Sequence, residues 1–205
     1  MIKIYPINYI ASKFQTMRRT LLPLFAVLFY SVPLRAQFYK SVLPSAAFSD
    51  NLSAITQAFS NNFYKIQGPQ LPSQEDMDIY QSTVTLPGAK HCVIYRFHSK
   101  IDSSASWQGI IYSGDNYKDA LKTYKNTCRQ VEGTRVKLDN DTYTTFIGKT
   151  YIPDTELRFV SSTFNLNKKD AVYDHFYAEV ELVNLTFDQW EVHINLQNKK
   201  DDEDK

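Results

Sequence analysis

The chain has 205 residues, of which 22% are charged and 14% aromatic, with a formal net charge of +1. Its glycines are confined to positions 68, 88, 109, 114, 133 and 148, which nearly excludes a Gly-rich phosphate loop. The charge is unevenly placed: beyond residue 36 the chain is mildly acidic, a poor match to the phosphates of nucleic acid.

Residues 1–36 hold Lys3, Lys13, Arg18, Arg19 and Arg35, and the first acidic residue is Asp50. Leu21–Val32 is almost wholly apolar, and Pro33-Leu34-Arg35-Ala36-Gln37 follows. Basic, apolar, then small is the order of a secretory signal. The apolar run is too short for a spanning helix of roughly 20 residues, so no stable membrane anchor is expected. Cleavage is expected after Ala36, which makes 1–36 a signal peptide and the mature protein periplasmic or extracellular. Met17-Arg18-Arg19 would itself make a compact signal start, and the Arg pair also permits a twin-arginine route. Taking away those five basic residues leaves 18 Lys and Arg against 22 Asp and Glu, a balance near −4.

Residues 37–197 read as a single domain. After an irregular lead-in, Asp50 is the expected N-cap of a helix whose apolar face is Leu52, Ile55, Phe59, Phe63 and Ile66, ended by Gly68-Pro69. A polar loop, 69–78, follows. Strands are expected at 79–86, 91–98 and 106–112, with Pro87-Gly88 as a turn. Asp115 is the expected cap of a second helix, with Tyr117, Ala120, Leu121, Tyr124, Cys128 and Val131 on one face and Gly133 at its end. Five further strands are expected at about 134–138, 142–149, 156–166, 174–185 and 189–197. In the last two, Phe176, Ala178, Val180 and Leu182 alternate with Tyr177, Glu179 and Glu181, and Trp190, Val192, Ile194 and Leu196 alternate with Glu191, His193 and Asn195. Period-2 alternation marks strands with one buried and one wet face. Residues 198–205 read as a disordered charged tail.

These elements specify an α+β fold: a largely antiparallel sheet with two amphipathic helices packed on one face. Asp50-Asn51 precedes Gly68 by the same distance that Asp115-Asn116 precedes Gly133. That spacing allows two helix-plus-meander halves, although helix capping alone would generate it. Two cysteines, Cys92 and Cys128, suit a disulfide in an exported chain; the alternative is two buried free thiols.

Asn62-Phe63-Tyr64-Lys65-Ile66-Gln67-Gly68, the stretch from Tyr80 through Ala89, and the signal ending at Ala36-Gln37 carry a resemblance. In these segments the chain resembles small exported proteins of Bacteroidota. That resemblance implies export, and no activity.

No catalytic, cofactor or metal signature appears. His91 and His98 are separated by an odd number of positions, so one regular strand would point them to opposite sides. No His-Glu-x-x-His or Cys-x-x-Cys spacing supports zinc. Glu75, Asp76 and Asp78 read as a solvated acidic loop, and Asp139-Asn140-Asp141 as a hairpin turn. His193 lies on the wet face of the last strand, where Glu179 or Glu181 could sit opposite it. His193 with Glu179 is the candidate polar pair, fit for acid–base work or for an ordinary cross-strand contact. Strand aromatics Tyr95, Phe97, Trp107, Tyr112, Phe159, Phe164, Tyr177 and Trp190 are read individually as core; any exposed together would form a binding patch. Three functional classes follow. They are a non-enzymatic binding or interaction module with a protein partner, a carrier of a small apolar ligand, and a hydrolase with dispersed residues. The first fits the lack of catalytic signatures best.

Overall fold

A computed structural model describes residues 43–98, 105–139, 141–167, 171–186 and 188–198. The expected signal, 1–36, and the tail from 199 onward lie outside the described residues. The architecture is α+β, a nine-stranded antiparallel sheet with two α-helices.

Helix α1 spans Ala46–Phe59. It begins a turn before the expected start because Ser45, not Asp50, supplies the capping oxygen, accepting from the Phe48 N–H at 3.1 Å. It also ends earlier than its apolar spacing suggested. The chain turns through Asn62 and Phe63, at φ 56° and 60°, into a 3-10 turn at Tyr64–Ile66. Phe63 and Ile66 are buried on the far side of that turn, so a helical period continues in the sequence after the helix has stopped.

Four strands follow as a meander: β1 (Gln67–Gln70), β2 (Met77–Ser82), β3 (His91–Phe97) and β4 (Ala105–Gly114). Helix α2, Tyr117–Gly133, is capped by Asn116, whose side-chain oxygen accepts from the N–H groups of Lys118 and Asp119. The cap is thus one residue after the expected Asp115. A second meander comprises β5 (Arg135–Lys137), β6 (Tyr143–Gly148), β7 (Phe159–Leu166), β8 (Phe176–Thr186) and β9 (Gln189–Asn198). The sheet order is β1-β2-β3-β4-β9-β8-β7-β6-β5, so each meander contributes one half and the last strands of each meet in the middle. The spacing of Asp50 to Gly68 and Asp115 to Gly133 does not carry this arrangement. Asp50 lies inside α1 whereas Asp115 precedes α2, and Gly68 lies in β1 whereas Gly133 closes α2.

The alternation separates two faces of the sheet. One holds Cys92, Ile94, Trp107, Val160, Phe164, Ala178, Val180, Leu182, Val192, Ile194 and Leu196, all buried. Helix α2 adds Ala120, Tyr124, Cys128 and Val131 to this core and packs against β4, β6, β7, β8 and β9. Trp107 is fully buried and donates its indole N–H to Ser82 Oγ at 2.9 Å. Gly109 makes room for that indole: a Cβ there would come within 2.8 Å of the ring.

Helix α1 covers the β5 edge. The Lys137 N–H donates to Ser53 Oγ at 3.1 Å, and Gln57 Nε2 donates to the Lys137 carbonyl at 3.0 Å. These side chains replace the strand that would otherwise satisfy an open edge. From its other flank, α1 donates Asn51 Nδ2 to the Thr85 carbonyl at 2.8 Å. Phe59 at its end packs on Phe176 of β8, with ring centroids 4.6 Å apart. Edge strand β1 carries Pro69, which removes one donor.

The expected Cys92–Cys128 disulfide is absent; both thiols are free and buried. Cys92 lies on β3, whereas Cys128 contacts Ser162 of β7 and Thr150. Strands β3 and β7 are four spacings apart in the sheet, roughly 19 Å, while a bridge requires Cα atoms within about 7 Å. Cys128 belongs instead to a buried polar knot. Ser162 Oγ accepts from the Tyr151 N–H at 2.8 Å and shares a 2.5 Å hydrogen bond with the Tyr124 hydroxyl, which donates to the Tyr151 carbonyl at 2.9 Å. Burial pushes the Cys128 thiol up to about 11, against smaller opposing hydrogen bonds from Thr150, Ser162 and Tyr124. It also raises the Tyr124 phenol, with Ser162 opposing.

Two outcomes are expected. Intact-mass measurement on the folded protein after alkylation without reductant should show no disulfide and no label, with both thiols labelled after unfolding. Ser162→Ala removes the acceptor of the part-buried Tyr151 N–H and a partner of the buried Tyr124 hydroxyl, and should cost about 1–3 kcal/mol in urea denaturation.

Candidate interaction face

The strand residues between the core positions form the second face. Across its middle, backbone register aligns Gln108, Asn195, Glu179 and Thr163 on β4, β9, β8 and β7. One row along lie Ile110, His193, Glu181 and Ser161, and beyond them Glu191, Val183 and Phe159. The polar side chains interlock. The Tyr95 hydroxyl donates to Gln108 Oε1 at 3.0 Å, and Gln108 Nε2 donates to Asn195 Oδ1 at 2.9 Å. Gln197 Nε2 donates to the Tyr177 hydroxyl at 2.7 Å and to Glu179 Oε2 at 3.3 Å. Asn195 retains only 8% exposure. These partners satisfy groups that would be costly to desolvate alone.

His193 sits opposite Glu181, not Glu179, which is opposite Asn195. Two residues back on its own strand, Glu191 completes the cluster. His193 Nε2 is 2.7 Å from Glu191 Oε2, and Nδ1 is 3.6 Å from Glu181 Oε2. The three side chains are only 12–17% exposed. Burial alone would disfavour the imidazolium, but hydrogen bonds and charge from Glu181 and Glu191 outweigh it and raise the His193 pKa above 6.5. Glu179 differs from its neighbours: among the described residues it has no cationic partner. Burial raises its pKa, the charge of Glu181 raises it further, and the Ser161 hydroxyl opposes both. The same burial, with Glu179 nearby, raises the Tyr177 phenol.

At one end the face turns apolar. Phe159 is 56% exposed, beside half-buried Val183. The bulge that follows in β8 leaves Leu185 50% exposed. Of the other strand aromatics, Trp107, Phe164 and Trp190 are core, Tyr95, Tyr112 and Tyr177 are half-buried, and Phe97 is exposed.

Other polar groups lie elsewhere. Asp78 belongs to β2 and not to a loop, and His98, just past β3, pairs with it at 3.1 Å. The Arg96 guanidinium stacks 3.7 Å above the Tyr64 ring and donates to Gln67 Oε1 and the Asn62 carbonyl. Asp141 pairs with Lys137 at 2.6 Å in the β5–β6 turn; Asn140 lies outside the described residues. A shallow depression of about 260 Å³ on α2 is lined by Lys118, Leu121, Lys122, Lys125, Asn126 and Arg129. Another, of about 480 Å³, lies between Asp115–Lys118 and Glu156. Among the described residues no three His, Cys, Asp or Glu side chains are placed to hold a metal ion. No described helix is long and apolar enough to cross a membrane.

Comparison with protein-family models, curated proteins and solved structures finds no match. The geometry of the face therefore carries the functional argument.

The sequence singled out His193 and its neighbouring carboxylates but missed Glu191, because a partner two residues away on the same strand is read as another wet-face position. Gln108, Asn195 and Gln197 were also missed, since amides carry no motif.

The cluster makes stability depend on pH. His193 has a raised native pKa, so its contribution is fully present below about 6.5, the unfolded value, and is lost as pH rises through the native value. Denaturation of the wild type between pH 6 and 9 should show this decline, and His193→Gln should reduce it. An NMR titration should place the His193 midpoint above 6.5.

Proposed function

We propose that this chain is an exported, non-enzymatic interaction module, with both helices covering one face of the sheet and the other face engaging a protein partner. The observation that carries the reading is the juxtaposition of exposed Phe159 with the carboxylates of the polar face. Interfaces combine a few aromatic or aliphatic anchors with satisfied polar groups around them. Here Phe159 and Val183 are the anchors, and the hydrogen-bonded side chains from Tyr95 to Glu179 are a pre-ordered surround. Pre-ordering lowers the entropy lost when a partner docks. Support for export comes from the basic, apolar and small segments of residues 1–36.

A carrier of a small apolar ligand would need a large, mostly apolar pocket. The helix-facing side of the sheet is instead filled by Trp107, Tyr124, Phe146, Phe164 and Phe176, each fully buried. The two depressions beside α2 are lined largely by charged side chains. A hydrolase reading would need His193 free to take a substrate proton, and its Nε2 is held 2.7 Å from Glu191 Oε2.

The test is selection of displayed random peptides on immobilised protein, with Phe159→Ser as the counter-target. Wild type should enrich peptides that the variant captures at least about tenfold less well. Failure to enrich any peptide, or enrichment that Phe159→Ser leaves intact, would count against the outer face as the working surface. Because Phe159 is exposed, the variant should unfold within about 0.5 kcal/mol of wild type.

A further inference from the structure

Resting on the reading of the outer face as an interaction surface, we infer that its partner is an extended polypeptide segment carrying one apolar residue and, two and four positions away, Lys or Arg. The argument starts from β8. Its outer positions run Val183, Glu181, Glu179 and Tyr177, so the strand presents an apolar site, two carboxylates and a phenol at intervals of about 6.8 Å. An extended segment presents its own alternate side chains at the same interval. Laid along β8, its apolar residue reaches Val183 and Phe159 on the neighbouring strand β7. Its second and fourth neighbours then reach Glu181 and Glu179.

The electrostatics of the two carboxylates separate their roles. Glu181 already has His193 Nδ1 at 3.6 Å, so a cation there adds less than one over Glu179. Glu179 is without a cation among the described residues, although Gln197 and Ser161 hydrogen-bond to it. It is held beside Glu181, whose charge opposes its ionisation. A Lys or Arg placed over Glu179 relieves that repulsion and pairs a carboxylate that has no cation among the described residues. An acidic or neutral segment cannot do this. Charge therefore selects the class of partner, and Phe159 with Val183 sets its register. The cations of α2, Lys118, Lys122, Lys125 and Arg129, line a depression of their own, and Lys137 is engaged by Asp141.

The test is fluorescence anisotropy with the full folded chain and a labelled twelve-residue peptide containing Leu-Ser-Lys-Ser-Lys. It should bind, and binding should weaken as salt is raised, because the pairing is at a partly exposed site. Glu179→Gln should reduce affinity about threefold to fivefold, Phe159→Ser should reduce it by more, and a peptide with Glu in place of both Lys should not bind. Glu179→Gln keeps the shape of the side chain, and a thermal melt confirms that it folds. No binding by the Lys peptide, or equal binding by the Glu peptide, overturns the inference. The peptide selection distinguishes this failure from failure of the wider reading. Enriched peptides that Phe159→Ser rejects but that lack basic residues leave the surface standing and remove the basic segment.

Discussion

The antiparallel pairing of β4 with β9 is the contact on which the remaining structure depends. Each meander follows a helix in the chain and has its own hairpins, but α1 packs on the β5 edge of the second meander and α2 on strands of both, so neither closes a core alone. Joining β4 to β9 aligns Trp107 with Leu196 and Gly109 with Ile194, and makes one buried face from two. The two strands lie far apart in the chain, so the loop entropy of bringing them together is incurred before the contact is rewarded. Burial of Trp107, Ile194 and Leu196 offsets that cost. The same pairing puts Gln108 beside Asn195 on the opposite face, which means the polar network forms only when the core does.

The outer face is unusual for a wet sheet surface because its polar groups are spent on one another. His193 bridges two carboxylates from adjacent strands, Gln108 links Tyr95 to Asn195, and Gln197 links Tyr177 to Glu179. Long polar side chains lie across strands in this way, and Asn195, hydrogen-bonded to Gln108, is itself buried. Glu179, which has no cationic partner among the described residues, and the exposed ring of Phe159 stand out against this background of satisfied groups. A surface on which most polar groups are paired leaves its remaining features to decide what it binds.

Sequence reading succeeded where one physical rule governed a segment. Strands β8 and β9 alternate cleanly, and every residue the alternation selected for the core is buried, with Asn195 of the wet face buried in addition. The stripe on α2 from Ala120 to Val131 also faces the core. It failed where a neighbour decided the outcome. β1 went unrecognised because Gln67-Gly68-Pro69-Gln70 has neither alternation nor β propensity; it is a strand because β2 pairs with it. The end of α1 was placed too late because Phe63 and Ile66 are buried beyond the turn. The disulfide was inferred from cysteine parity and an apolar position for each residue, and both thiols are indeed buried. Parity, however, carries no information about the three strands that lie between β3 and β7.

The sequence by itself determined the local conformations and which side of each element is apolar. Helical and two-residue periods are properties of contiguous residues, and burial of the apolar side follows from the aversion of those side chains to water. Only the tertiary structure decided register and neighbourhood. A shift of two residues between β8 and β9 would leave every alternating side chain on its proper face, yet it would set Glu179 instead of Glu181 opposite His193. Hairpin geometry and packing of the opposite face select between such registers. That selection is what sets Glu179 opposite Asn195 and Thr163 and Phe159 beside Val183.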